Sequence, residues 1–232
     1  MNHNRHISGQ FNAELEDIRH RVMHMGGLVE RQLELALDAL GSLDTEIAQQ
    51  VIDGDRSVNM LEVSIDEECT RIIAKRQPAA SDLRLILAIS KIVSDLERIG
   101  DACVRIAKSA LDKKLNNQQP LLVSIETLGR QATKTLHATL DALARMDAES
   151  ALMLHKSDAK LDKEYEGIIR QLMTYMMEDP RSIPAVLDVI WAARAVERVG
   201  DHCKNICEYI IYFVKGKDVR HRSYEDMERG LQ

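Results

Sequence analysis

The sequence predicts an all-α protein built as two tandem, pseudo-symmetric three-helix bundles, and three observations carry that prediction. Helix formers dominate, whereas aromatics are 3% of the 232 residues and Pro is limited to four, which leaves little material for sheets. Breakers gather in a few short places and leave six long uninterrupted segments. The third and sixth segments carry nearly the same heptapeptide, ERIGDAC from Glu97 and ERVGDHC from Glu197.

The breaks fall at Gly41-Ser42, Gln77-Pro78 to Ser81, Asn116 to Pro120, Arg145 to Glu149, and Asp179-Pro180 to Pro184. They predict helices over about 9–40, 44–75, 82–113, 121–144, 149–178 and 182–215. Ser81 or Asp82 is expected to cap the third helix, and Ser182 the sixth. At about 1.5 Å per residue, a helix of about 30 residues is a rod of about 45 Å, and such rods pack as antiparallel bundles. In the third helix Leu85, Ile89, Ile92, Leu96, Ile99, Cys103, Ile106 and Ala110 form a continuous apolar seam. Ala185, Val189, Ala192, Val196, Val199, Cys203, Ile206, Ile210 and Phe213 repeat it in the sixth.

A shift of 100 residues superposes Leu161 on Leu61, Leu187 on Leu87, Cys203 on Cys103 and Ile206 on Ile106. A three-residue gap further upstream then matches Leu37 to Leu40 with Leu140 to Leu143. Each half is thus a three-helix unit, which divides the chain into 1–118, 119–217 and a polar tail over 218–232.

Charge interrupts every apolar stretch before the roughly 18 residues that a membrane span needs, and the first residues have no signal-peptide core. A cytoplasmic protein is expected. Cys69, Cys103, Cys203 and Cys207 show no zinc spacing and read as reduced core residues. A net charge of −6 without a basic stripe gives no reason to expect nucleic acid. No phosphate-binding loop, dinucleotide fingerprint, nucleophile elbow or H-E-x-x-H is present, so no enzyme is expected.

At about 100° per residue, Glu97 and Asp101 fall almost opposite the seam of the third helix, one turn apart, and are expected to point outward, as are Glu197 and Asp201. Two carboxylates so placed suit a hard or borderline cation, while solvated surface charge explains the same spacing. In the second helix Asp55, Asn59, Glu62 and Asp66 form a ridge of oxygen ligands beside its own seam. The fifth helix carries Asp158, Asp162 and Glu166, with the same sign but a different register. Gly100 and Gly200, between the paired acids, ask for the close approach of another helix, the favoured reading, or of a bound ion. His202 is either a nitrogen ligand or an ordinary surface histidine. Arg84, Arg98 and Arg198 are candidate partner-contacting residues. Two other readings stay open, a metal-free helical scaffold and a di-iron carboxylate oxidase; the second would need inward-facing E-x-x-H pairs.

The chain resembles the PhoU family, the phosphate-specific transport system accessory proteins. The resemblance runs from about His6 to Lys217 on HISGQFNAELEDIR, MGGLVE, RQPAASDLRLILAISKI, DLERIGD and VERVGDHCKNI. It implies metal sites at Glu97 and Asp101 and at Glu197 and Asp201, joined in the first half by Asp55, Asn59 and Glu62. With His155 and Ala159 at the positions expected to match Asp55 and Asn59, the second site is expected to hold fewer ions or none. The cofactors implied are divalent or trivalent metal ions, of which iron, zinc, manganese and magnesium are candidates. The function implied is negative regulation of the phosphate-starvation response, as a metal-binding cytoplasmic adaptor. The implied partners are a sensor histidine kinase and the ATPase subunit of a phosphate ABC transporter, with homodimerisation. Membrane contact would be indirect, through those partners at the inner membrane.

Overall fold

The computed structural model describes residues 9–112, 115, 119–220, 222 and 227. Six helices follow in order: α1 Gly9–Ser42, α2 Thr45–Arg76, α3 Ala80–Ala110, α4 Gln119–Arg145, α5 Ala148–Glu178 and α6 Ile183–Lys215. Their boundaries lie close to those expected from the breakers; Lys113 and Asn116 to Gln118 fall outside the described residues. Helices α1 to α3 form one three-helix unit and α4 to α6 the other, and the units meet where α3 packs on α6 and α1 on α4.

The turns inside the two units are built alike. Leu43 and Met146 end α1 and α4 in the left-handed conformation, at φ 55° and 50°. The amides of Asp44 and Asp147 then bond to the carbonyls of Ala39 and Ala142 at 3.0 and 2.9 Å, closing the last helical turn. The same two aspartates cap the next helix, each accepting from two backbone amides. The caps expected at the third and sixth helices are absent: Ala79 is the α3 N-cap, and Ser182 makes no side-chain cap bond. Its hydroxyl instead donates to Asp179 O at 2.6 Å, within the short 3₁₀ turn Pro180–Ser182 that precedes α6.

Two glycines show the pseudo-twofold relation between the units. A Cβ on Gly26 of α1 would lie 2.6 Å from Leu140 Cδ2 of α4, and one on Gly129 of α4 would lie 2.5 Å from Leu37 Cδ2 of α1. Each helix therefore drops a leucine onto the other's glycine, which brings the rods close.

All the seam residues of α3 are buried, and so are Ile86, Ala88, Val93, Asp95, Ala102 and Ala107 outside the seam. A single seam cannot serve a helix that packs on α1, α2 and α6, so positions outside it are buried as well. The core is consequently continuous through both units, and Val219 and Met227 of the tail belong to it. The tail expected to be merely polar thus packs back on the bundle at those two positions; residues 221, 223–226 and 228–232 lie outside the described residues. All four cysteines are free and buried, and burial pushes the Cys69 and Cys207 thiols up to about 12.

Candidate metal centre

Asp55, Asn59 and Glu62 of α2 and Glu97 and Asp101 of α3 come together in a trough between the two helices. Asp101, Glu62 and Asp55 all bear electrostatically on Glu97. The acids do not stand on an outward face as their angle from the seam suggested, because α2 lies over the flank of α3 that carries them; both are half-buried. Burial, followed by the charge of Asp101, pushes the Glu97 carboxyl above the usual range. Burial also raises Asp55, against a hydrogen bond from Asn59 Nδ2 to its Oδ2 at 3.2 Å. Glu62 is raised by burial and then by Asp66. Serines of α3 line the floor: Ser94 donates to Glu62 at 3.4 Å and Ser90 to Asp66 at 2.7 Å.

Gly100 sits in this trough for lack of room. A Cβ there would meet Asp55 Oδ1 at 3.1 Å, Gln32 Oε1 at 3.4 Å and Val58 Cγ1 at 3.4 Å. The matching position Gly200 would meet Leu161 Cδ2 at 2.5 Å and Asp158 Oδ1 at 2.9 Å. Helix packing and the site thus demand the same two glycines.

Those contacts also correct the register of the repeat. The glycines correspond at an offset of 100, whereas Asp55 and Val58 correspond to Asp158 and Leu161 at an offset of 103, the offset that also relates the caps Asp44 and Asp147. The three-residue gap lies after the second helix of the unit, not before it. Asp158 and Asp162, rather than His155 and Ala159, therefore stand where Asp55 and Asn59 stand. His155 is spent elsewhere, with Nε2 3.1 Å from Glu208 Oε1. An ungapped shift of 100 looked sound because α-helical apolar spacing recurs after three residues almost as well as after four.

In the second trough Asp158, Asp162 and Asp201 can each bring a carboxylate oxygen within 4.8 Å of the others. Glu197 lies beside them, 7% exposed, and its carboxyl is pushed up to about 7 by burial and then by Asp201. Burial followed by Asp162 raises Asp158. Sequence reasoning missed three neighbours that make this trough chemically different from the first. Tyr165 takes the place of Glu62 at the corrected offset, Arg194 replaces Ser94 and donates to Glu197, and Lys204 Nζ approaches Asp158 Oδ2 at 3.5 Å. Arg194 also stacks over the Tyr165 ring. Its position three residues before Glu197 was the available signal. Glu166 is outside the site, facing Arg170 on the surface.

Buried carboxylate oxygens without hydrogen-bond partners are present in both troughs: Asp55 Oδ1 in the first, and Asp158 Oδ1 and Glu197 Oε2 in the second. All-oxygen donor sets with orphaned, partly desolvated carboxylates fit a hard cation. His202 is neither a ligand of the trough nor a surface residue. Its Nδ1 lies 2.7 Å from Oδ1 of Asp95, a 2% exposed residue of α3 that also accepts from Asn205 Nδ2 at 3.1 Å. That cluster joins the two units. Of the three arginines considered for partners, Arg98 and Arg198 are exposed; Arg84 is half-buried against Gly216 at the end of α6.

Paired three-helix bundles with an acid-lined trough in each define a class of duplicated helical carboxylate scaffolds. Among the described residues no helix is long and apolar enough to cross a membrane. Residues 22–110 and 125–210 match the model of the PhoU domain family, and the chain belongs to the PhoU family. It is 58% identical to the phosphate-specific transport system accessory protein PhoU of Serratia marcescens, over all of this chain and 95% of that protein. It is 57% identical to the PhoU of Escherichia coli K12, over all of this chain and 96% of that protein. The crystal structure of PhoU from Pseudomonas aeruginosa, 50% identical, superposes with a TM-score of 0.86 over 89% of this chain and all of that one. These relatives bear the names of accessory proteins and not of enzymes, in agreement with the lack of a catalytic motif. A di-iron oxidase is set aside with them, since the acids lie between helices in E-x-x-x-D pairs and not as E-x-x-H pairs in a bundle core.

Proposed function

We propose that this chain is a cation-dependent regulatory adaptor of phosphate uptake, which keeps the phosphate-starvation response off when phosphate is plentiful. Its partners in this reading are the ATPase subunit of a phosphate ABC transporter and the sensor histidine kinase of the response. Its place is the cytoplasm, reaching the inner membrane through them as a homodimer. The observation that carries the reading is the pair of troughs with orphaned buried carboxylate oxygens, on a chain whose relatives are named for phosphate transport.

The residues proposed to hold the cation are Asp55, Asn59, Glu62, Glu97 and Asp101 in the first trough, and Asp158, Asp162, Glu197 and Asp201 in the second. A bound divalent or trivalent ion, with iron, zinc, manganese and magnesium as candidates, would supply the positive charge that lets these carboxylates stay ionised side by side. With their charges balanced, Asp55 and Glu97 hold α2 against α3, and Asp158 and Glu197 hold α5 against α6. The bundle surface, including Arg98 and Arg198, is then offered to partners in one geometry, and binding equilibria carry the signal. The second trough is the weaker of the two in this reading, because Arg194 and Lys204 already offset part of its charge.

Elemental analysis by inductively coupled plasma mass spectrometry tests the reading, on the native chain and on the Glu97→Gln/Glu197→Gln double variant, both purified without chelator or metal-affinity tag. Metal in the native protein and depletion in the variant are expected. No metal in either after incubation with divalent ions would favour the metal-free scaffold.

A further inference from the structure

Gln32 of α1 is a 7% exposed amide on the wall of the first trough, and neither Nε2 nor Oε1 has a hydrogen-bond partner. Its Oε1 and Asp55 Oδ1 both border the space over the bare Cα of Gly100. Asp55 Oδ1 is itself buried without a partner, although the Gln32 amide is near enough to influence it. Three polar atoms from two helices are thus buried side by side without a well-formed hydrogen bond among them, the Gln32 amide lowering the Asp55 carboxyl only as a poorly aligned donor; the arrangement is costly to keep, and an apolar side chain would avoid it. At the offset of 103 that relates α1 to α4, the second unit has Thr135 in this place.

We propose that Gln32 is a positioning residue of the α2–α3 site, whose carboxamide fixes Asp55 when a hard, oxygen-seeking cation occupies the trough. The inference rests on the cation reading above and names a helix that reading leaves out. Rotation of the amide plane exchanges Oε1 for Nε2, and the amide then donates to Asp55 Oδ1. Oδ1 accepts that bond on one lone pair and keeps the other for the ion, while Oδ2 stays held by Asn59. Residues that orient a metal-binding carboxylate in this way change affinity by about 10- to 100-fold when removed. Because α1 packs on α4, the contact also ties occupancy of the first trough to the helix that faces the second unit.

Calorimetric titration of the chelator-stripped full chain with Mn²⁺, together with thermal melts without and with Mn²⁺, tests the inference on native protein, Gln32→Leu and Gln32→Met. The expected result is about 10- to 100-fold weaker Mn²⁺ binding at one class of sites in both variants, with the other class unchanged. Their metal-free melting temperatures should equal or exceed that of the native chain, since an orphaned amide gives way to an apolar group of similar size. Mn²⁺ affinity equal to native in a folded variant overturns the inference and leaves the cation reading standing. So does a metal-free melting temperature lowered in both variants, which would make the amide a structural group. A native chain that takes up no Mn²⁺ overturns the cation reading and this inference together.

Discussion

Replacing Glu197 with Gln in the metal-free protein should raise its stability, by an amount that grows as pH rises from about 4.5 to about 7 and is constant above that. The Glu197 carboxyl is raised from 4.5 to about 7, by burial and then by Asp201. Below about 4.5 the group is protonated in both folded and unfolded chains, and its environment costs nothing. Between 4.5 and about 7 the unfolded chain ionises first, so stability falls as pH rises, and above about 7 the penalty is complete. A shift of that size corresponds to about 3 kcal/mol. The attraction of Arg194, an arginine that is 44% exposed, is already contained in that value. The gain at pH 8 is then about 3 kcal/mol, or about 6–12 °C in melting temperature for a chain of this length. Calorimetric melts in chelator from pH 4.5 to 8.5 measure it as the difference between variant and native protein. A difference that does not change with pH, or a variant less stable than native at pH 8, would refute the argument that Glu197 is held against its preferred ionisation. With saturating divalent ion the order should reverse, because the native site alone keeps the full carboxylate set.

Gly200→Ala should destabilise by about 1–3 kcal/mol in urea unfolding, since its Cβ would sit 2.5 Å from Leu161 Cδ2 and 2.9 Å from Asp158 Oδ1. Gly27→Ala on α1, where a Cβ meets nothing within 4 Å, should instead gain about 0.5–1 kcal/mol from helix propensity. Asp147→Ala removes a side chain that accepts from the amides of Glu149 and Ser150 at 3.1 and 3.0 Å; a loss of about 1 kcal/mol is expected by the same assay. Asp95→Ala leaves His202 and Asn205 without their buried acceptor between the units and should cost about 1–3 kcal/mol. A smaller loss for Asp95→Asn, which retains an acceptor oxygen, would confirm that the hydrogen bonds and not packing are responsible.

Residue patterns along the chain were enough to specify the helices and the duplication. Six amphipathic segments separated by Pro, Gly and Asp can bury their apolar stripes only by packing on one another; Gly26 and Gly129 repeat because α1 and α4 meet at a shared contact, and Asp44 and Asp147 because the same turn is built twice. The acids of the site were legible for the same reason, since E-x-x-x-D on one helix is a local pattern. Their orientation was not. A helical wheel measures angle from one seam, and it placed Glu97 and Asp101 outside because it knows nothing of α2 lying over that flank. The register of the second unit was also beyond the sequence, because an apolar repeat tolerates a slip of three residues; the side chains facing Gly100 and Gly200 resolve it in space. Gln32, Arg194, Lys204 and the link from Asp95 to His202 belong only to the tertiary structure. Gln32, Lys204 and Asp95 act across helices that are far apart along the chain, and Arg194, though one turn from Glu197, is placed in the site by its stacking on Tyr165 of α5; whether a polar side chain is solvated or buried beside a carboxylate is decided by what packs over it.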